Sequence, residues 1–118
     1  MDSDPGLERL LDLHGFSAEI GGGYWVKIEA VEVPADVGRP HGVAYSLTMH
    51  TPGGARIIGI DNAHPVRRTS GPGGKRALRR DHLHRGKSVR PYPHRSADDL
   101  LDDFWNEVAA VLRREGIE

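Results

Sequence analysis

Cysteine is absent from this 118-residue chain. Its absence excludes disulfides, thiolate metal sites and thiol nucleophiles, and it is typical of a reducing compartment, so we expect a cytoplasmic protein. Aromatic residues make up only 6% of the sequence, and no apolar run is long enough to span a bilayer. The acidic N-terminus, MDSDPGLERLL, lacks the positive charge of a secretory signal. A zinc site would have to use histidine and aspartate alone.

The length suits one domain, which we predict to cover residues 1–118. Apolar and polar residues alternate over 24–33 and 43–50, and this period of two predicts half-buried strands. The turn sequence Thr51-Pro52-Gly53-Gly54 then predicts a hairpin with a strand over 57–60. Residues 77–84 predict a fourth strand, followed by a turn at 85–88.

Helix signals stand at both ends of the chain. Asp4-Pro5 predicts the start of a short N-terminal helix that ends near Gly15. Ser96 predicts the N-cap of a C-terminal helix, in which an apolar stripe runs from Leu101 to Leu112. The sequence therefore predicts an α+β fold: an antiparallel sheet of about four or five strands packed against a C-terminal helix, with a short N-terminal helix.

The net charge of −1 conceals a basic middle segment. Residues 65–95 contain ten Lys/Arg against Asp81 alone, whereas acidic residues exceed basic ones by five on either side of that segment. A local positive field attracts polyanions regardless of total charge, so we expect RNA to bind there. The candidate RNA-binding residues are Lys75, Arg76, Arg80, Arg85, Lys87, Arg90 and Tyr92.

Histidines within and just before this segment suggest RNA cleavage without a metal. Cleavage needs a base for the 2′-hydroxyl, an acid for the departing 5′-oxygen and a cation on the phosphate. Arg80 or Arg85 suits the last role, since guanidinium pairs with phosphate oxygens and keeps its charge. The candidate catalytic residues are His64, His82 and His84 for proton transfer, with Asp61 or Asp81 orienting an imidazole.

Other interpretations of the same residues remain open. Asp61-Asn62 can be turn chemistry in which the side chains cap the backbone. His82 and His84 can instead bind zinc or manganese with Asp61, His64 or Asp81, although the surrounding arginines repel a cation. For the isolated histidines we expect surface or packing roles. These are His14, His41 and His50.

From Tyr45 through the last helix, the chain resembles the TumE-type toxins. The similarity lies in Tyr45-Ser46-Leu47, in Ile60-Asp61-Asn62-Ala63-His64, in Asp81-His82-Leu83-His84 and in the helix over 100–107 with Phe104-Trp105. The chain departs from the family's pattern at Pro65, which follows His64, and at Arg80-Asp81, which stands before His82. Those proteins are the toxin halves of two-gene modules, so the resemblance implies a toxin whose partner is a helix-turn-helix antitoxin.

Together these features predict a toxin that acts on RNA as a metal-independent ribonuclease, with no cofactor and no membrane partner. One alternative is a non-catalytic module in which residues 65–95 bind nucleic acid or an acidic protein. Another is that the basic segment contacts the antitoxin without any chemistry.

Overall fold

The computed structural model describes residues 4–37, 39–62 and 81–117. They form one six-stranded antiparallel sheet and two helices, in which each strand pairs with the next along the chain. The elements are α1 (Leu7–Asp12), β1 (Phe16–Gly21), β2 (Tyr24–Glu32), β3 (Val43–His50), β4 (Arg56–Asp61), β5 (His82–Arg85), β6 (Ser88–Pro91) and α2 (Ala97–Arg114). The predicted α+β fold is confirmed, with six strands in these ranges rather than four or five.

The two strands that the sequence did not predict, β1 and β6, form the edges of the sheet. Apolar and polar residues do alternate in β1, where Ser17 and Glu19 separate Phe16, Ala18 and Ile20, whereas β6 has only four residues, too few to show the pattern. All four residues of β6 are exposed, and the strand ends at Pro91, whose missing N–H is tolerated at an edge. The predicted turn at 85–88 is confirmed as the β5–β6 connection, where Gly86 adopts a φ of +59°.

The core lies between α2 and one face of the sheet. Alternate residues of the central strands are buried there, and α2 contributes its apolar stripe. The largest fully buried side chains are Tyr45, Phe104, Leu10, Ile28, Leu47, Met49, Ile60, Leu100, Val26, Val43 and Val111. Trp105 lies at the margin of the stripe and is 37% exposed. No helix in the described ranges is both long enough and apolar enough to cross a membrane.

The helix starts differ in part from the prediction. Ser96 is the N-cap of α2, and its Oγ accepts a hydrogen bond from the Asp99 backbone N–H at 3.1 Å. Asp4, however, does not cap α1, which begins after Gly6. Its Oδ1 accepts instead from the backbone N–H of Ala97 at 2.9 Å, one of the donors that a helix start leaves unpaired. Asp4 therefore ties the N-terminal segment to the start of α2.

Asn62 closes the end of β4 against β3. Its Oδ1 accepts from the Tyr45 backbone N–H and its Nδ2 donates to the Val43 carbonyl, both at 2.9 Å. Asn62 is 3% exposed, so both backbone groups have lost water. The predicted capping role is therefore observed for Asn62, which extends the β3–β4 ladder by side-chain hydrogen bonds.

We expect Asn62→Ala to lower the free energy of unfolding by about 2–4 kcal/mol, because it leaves a buried backbone donor and a buried acceptor unpaired. Urea denaturation measures this loss. Asn62→Asp is the matched comparison: it keeps the acceptor for Tyr45 but cannot donate to Val43. A loss below about 0.5 kcal/mol for Asn62→Ala, the range of ordinary surface substitutions, would contradict the assigned role.

Candidate active site

The face of the sheet opposite α2 has a row of polar side chains, which we call the polar face. The register places Asp61 of β4 opposite His82 of β5, and Gly59 opposite His84. Because side chains alternate along a strand, these residues share one side, while Ile60 and Leu83 point into the core. The polar face comprises Lys27 and Glu29 of β2, Ser46, Thr48 and His50 of β3, Asp61 of β4, and His82 and His84 of β5.

Asp61 and His84 form the central pair of this face. His84 Nε2 lies 3.1 Å from Asp61 Oδ2, and the two side chains are only 19% and 11% exposed. A carboxylate accepts hydrogen bonds and cannot donate them, so a neutral His84 donates from Nε2. That tautomer leaves the lone pair on Nδ1, where the ring can accept a proton. The arrangement is that of an imidazole base oriented by a carboxylate.

The surroundings of His84 favour its neutral form. Burial lowers the pKa of His84, and this effect outweighs the opposing attraction of Asp61. The positive charge of Arg56 and the neighbouring His82 lower the pKa further. The pKa of His84 therefore lies below its ordinary value of 6.5, and the ring is ready to accept a proton at neutral pH.

His82 supplies a second imidazole beside the same carboxylate. It lies directly opposite Asp61 in the β4–β5 pair, and it is 9% exposed. Its ring centroid is 6.3 Å from that of His84, with the two rings inclined at 43°. The predicted placement of His82 and His84 on one side of their strand is observed, and Asp61 joins them there.

Arg56 is a cation at this site that the sequence analysis did not select. A Cβ built on Gly59 would meet Arg56 Cδ at 3.2 Å and Arg56 Nη1 at 3.5 Å, so the Arg56 side chain lies over Gly59. Gly59 faces His84 across the β4–β5 pair. A lone glycine inside a strand often marks such a close approach. Gly59 was therefore the feature of the sequence that could have pointed to a side chain lying over β4.

Asp81 belongs to a different group of side chains. Although it adjoins His82 in sequence, its Oδ2 accepts from the Tyr45 hydroxyl at 2.5 Å and lies 3.4 Å from His94 Nδ1. Burial raises the pKa of Asp81, but hydrogen bonds from His94 and Tyr45 outweigh it, so that the pKa lies below the ordinary value. The carboxylate therefore orients His94 rather than His82 or His84.

The predicted RNA-binding residues have varied positions. Arg85 donates from Nε and Nη2 to the two carboxylate oxygens of Glu107 in α2, at 2.9 and 2.7 Å. Tyr92 is 8% exposed, and its hydroxyl donates to Asp103. Lys87 and Arg90 are exposed on the β5–β6 hairpin. The remaining predicted site residues, His64, Lys75, Arg76 and Arg80, lie outside the described residues.

The three isolated histidines each have a defined contact. His14 Nδ1 accepts from the Ala30 backbone N–H at 3.1 Å. His50 stacks on Trp25 with ring centroids 4.0 Å apart, and its Nε2 lies 2.9 Å from Thr48 Oγ1. The rings of His41 and His94 are in contact, with centroids 4.1 Å apart and planes inclined at 37°. Packing roles are therefore observed for His14 and His50.

Potential metal ligands converge at a different place from the one that the sequence suggested. Within residues 4–37, 39–62 and 81–117, the one group of three or more potential ligands consists of Asp4, His41 and His94, whose ligand atoms all lie within 4.8 Å of one another. Asp61, His82 and His84 do not form such a group in that part of the chain. His64, which the metal interpretation of this face also used, lies outside the described residues.

Comparison with known proteins identifies one family. The family model described as "Toxin TumE" matches residues 11–112, which is most of the chain. No curated protein and no solved structure matches significantly.

The lowered pKa of His84 predicts a pH dependence of stability. As the pH falls, His84 of the unfolded chain takes up a proton near pH 6.5, at a higher pH than His84 of the folded chain. The free energy of unfolding therefore decreases as the pH drops from 6.5 through the folded-state pKa of His84. We expect the free energy of unfolding to decline as the pH falls below about 6.5, and less steeply in His84→Gln. Proton NMR of the His84 ring gives the folded-state pKa directly, and a midpoint at or above 6.5 would refute the assignment.

Proposed function

The chain belongs to the TumE toxin family, and from this premise we propose that it cleaves RNA through His82 and His84 of the polar face. Membership of the family makes it a toxin component of a toxin–antitoxin system, which implies an antitoxin partner. We further propose that this partner is a helix-turn-helix protein. The observation that supports the ribonuclease proposal best is the Asp61–His84 pair, a partly buried imidazole held by a carboxylate beside a second imidazole.

The first step of the proposed reaction is removal of the proton from the 2′-hydroxyl. His84 suits it because Asp61 binds Nε2–H and leaves Nδ1 as the base. The lowered pKa keeps the ring neutral before the reaction. Once Nδ1 takes the proton, the Asp61 carboxylate stabilises the imidazolium.

His82 and Arg56 suit the remaining roles. Two imidazoles whose centroids are 6.3 Å apart can flank one phosphodiester, so that His82 protonates the departing 5′-oxygen while His84 acts at the 2′-oxygen. The Arg56 guanidinium lies over Gly59, next to His84, and can bind the phosphate oxygens as negative charge develops. In this proposal Arg56 takes the phosphate role that the sequence analysis gave to Arg80 or Arg85, because Arg85 is paired with Glu107.

The part of the chain that connects β4 to β5, which includes the first half of the basic segment, would bring RNA to this site. Residues 63–80 contain six Lys/Arg and no Asp/Glu. They connect Asn62 to Asp81, which directly follow and precede the paired residues Asp61 and His82. His64 follows Asp61 by three residues, a reach of at most about 10 Å along the chain. It therefore stays in the proposal as a third imidazole, and Lys75, Arg76, Arg80, Lys87 and Arg90 stay as phosphate contacts.

A non-catalytic RNA-binding module is the alternative, and turnover separates it from an enzyme. A pure phosphate binder loses affinity steeply as salt rises, and its binding depends on Lys/Arg rather than on histidine. An enzyme of the proposed kind cleaves in the presence of a chelator and has a bell-shaped pH profile, whose acidic limb lies below pH 6.5 if His84 is the base.

We expect His82→Gln and His84→Gln each to lower the rate of RNA cleavage by about 10²-fold or more, because each removes one proton-transfer group. The measurement is cleavage of total RNA by purified protein in the presence of EDTA. Growth inhibition on induction of the toxin should fall in parallel, and circular dichroism melting checks that the fold survives.

His50→Gln is the matched control, since His50 is a partly buried histidine on the same face but two strands away from β5. We expect it to keep wild-type cleavage. Full activity in the folded double variant His82→Gln/His84→Gln, or equal loss in His50→Gln, would rule out the assigned roles.

Substitution of Arg56 tests the phosphate contact. We expect Arg56→Gln to lower the cleavage rate by roughly 10²-fold, because the transition-state charge loses its donor, and Arg56→Lys to restore part of it through charge without the planar fork. Rates at several salt concentrations should also show a salt slope smaller by about 1 for Arg56→Gln. Unchanged rates and slopes in both variants would remove Arg56 from the site.

A further inference from the structure

Two buried polar atoms in the described part of the chain have no hydrogen-bond partner: Asp4 Oδ2 and His94 Nε2. Buried polar groups in proteins are nearly always paired, so each exception requires an explanation. The His94 side chain is only 2% exposed, which removes bulk water as a partner for its ring. Both atoms belong to the cluster of Asp4, His41 and His94. Two unpaired ligand atoms thus occur in one small group.

The partners of these two side chains are those expected around a metal ion. His94 Nδ1 lies 3.4 Å from Asp81 Oδ2 and 3.4 Å from the Tyr45 hydroxyl, so the ring is held from its Nδ1 side. Its Nε2 is left to bind a ligand. Asp4 Oδ1 accepts a hydrogen bond from the Ala97 backbone N–H, so Asp4 Oδ2 is the oxygen left to bind a ligand. Metal-binding histidines typically donate their other ring nitrogen to a carboxylate, and metal-binding carboxylates are themselves hydrogen-bonded.

We propose that Asp4, His41 and His94 bind a divalent transition-metal ion of the zinc class. Two imidazoles and one carboxylate are three of the ligands that Zn²⁺ takes in proteins, and a water or exogenous ligand completes a tetrahedron. This set shares no residue with the polar face. The proposal therefore does not rest on the ribonuclease proposal, and it differs from the sequence expectation that the protein uses no metal.

The cluster has to contract a little around the ion. Its ligand atoms lie within 4.8 Å of one another, whereas tetrahedral bonds of ~2.1 Å give separations of about 3.4 Å. His41 can supply this movement because it is exposed and lies between β2 and β3 rather than within a strand. Nearby, Arg95 is paired with Asp99 and Asp103, which offsets its repulsion of a cation.

A metal at this position would join three parts of the chain that meet at the start of α2. Asp4 belongs to the N-terminal segment, His41 to the connection between β2 and β3, and His94 to the connection between β6 and α2. Because these residues are far apart in sequence, a shared ion stabilises the folded state over the unfolded one. Its role is structural, and Asp81 links it to β5 through His94.

The test uses the full-length protein, stripped with chelator and then titrated with Zn²⁺. We expect one ion per chain by elemental analysis and calorimetry, with a rise in melting temperature on loading. Co²⁺ in place of Zn²⁺ should give the visible absorption of a tetrahedral site with nitrogen and oxygen ligands. His41→Gln and Asp4→Asn should each weaken Zn²⁺ binding by about 10²-fold or more, and Asp81→Asn by about 10- to 100-fold.

His14→Gln is the control, because His14 is an exposed histidine outside the cluster; it should bind Zn²⁺ like the wild type. His41 is exposed, so His41→Gln should fold normally, and its melting temperature without metal verifies this. Failure of the stripped wild-type protein to bind Zn²⁺ or Co²⁺, or unchanged binding in folded His41→Gln and Asp4→Asn, would overturn the proposal.

Discussion

The antiparallel pairing of β4 with β5 is the constraint on which the rest of the site depends. It places Asp61 opposite His82 and Gly59 opposite His84, and it directs Ile60 and Leu83 into the core. A slip of one residue would move the histidines into the apolar layer and Leu83 to the polar face, at a large cost in buried apolar area. The hydrophobic core thus fixes the positions of the polar groups, although it contains none of them.

His82, the first residue of β5, and Asp81, which directly precedes it, belong to two separate polar groups. This follows because successive side chains along a strand point to opposite faces of the sheet. His82 points to the polar face, whereas Asp81 contacts Tyr45 and His94 near the start of α2. Burial and then the Asp81 carboxylate raise the pKa of Tyr45, so its hydroxyl stays protonated and donates. Asp81 therefore holds a histidine in the second group much as Asp61 does on the polar face. Both groups adjoin residues 63–80, which connect Asn62 to Asp81.

The sequence predicted the strands, turns and helix starts that are determined by a local pattern of residues. Period-two alternation identified β2 and β3. The Pro-Gly-Gly turn identified the hairpin of β3 with β4, and Ser96 marked the start of α2. The grouping of His82 with His84 followed from the same alternation. The N-terminal helix was predicted to start at Asp4, but the unpaired N–H of Ala97 binds that carboxylate instead, and α1 starts after Gly6.

What the sequence did not reveal depends on contacts between distant residues. Arg56 reaches the site because Gly59 leaves room for its side chain. His94 and His41 lie 53 residues apart in sequence, yet their ring centroids are 4.1 Å apart, and no spacing rule connects them. Tyr92 and Arg85, which the sequence predicts to contact RNA, form hydrogen bonds with Asp103 and Glu107 of α2, and the sequence does not reveal these partners. Charge alone does not distinguish a cation that is available to a ligand from one that is already paired.

The central claim is that His84, oriented by Asp61, meets the RNA. Nitrogen-15 NMR of the imidazole rings, recorded before and after addition of an oligonucleotide with 2′-deoxy substitution at the cleavage site, tests it most directly, because the probe binds without being cleaved. The account predicts a neutral His84 with its proton on Nε2 in the free protein, and a shift of His84 Nδ1 on binding while the His14 signals stay unchanged. A proton on Nδ1 in the free protein, or binding of the oligonucleotide without any change at His84, would contradict it.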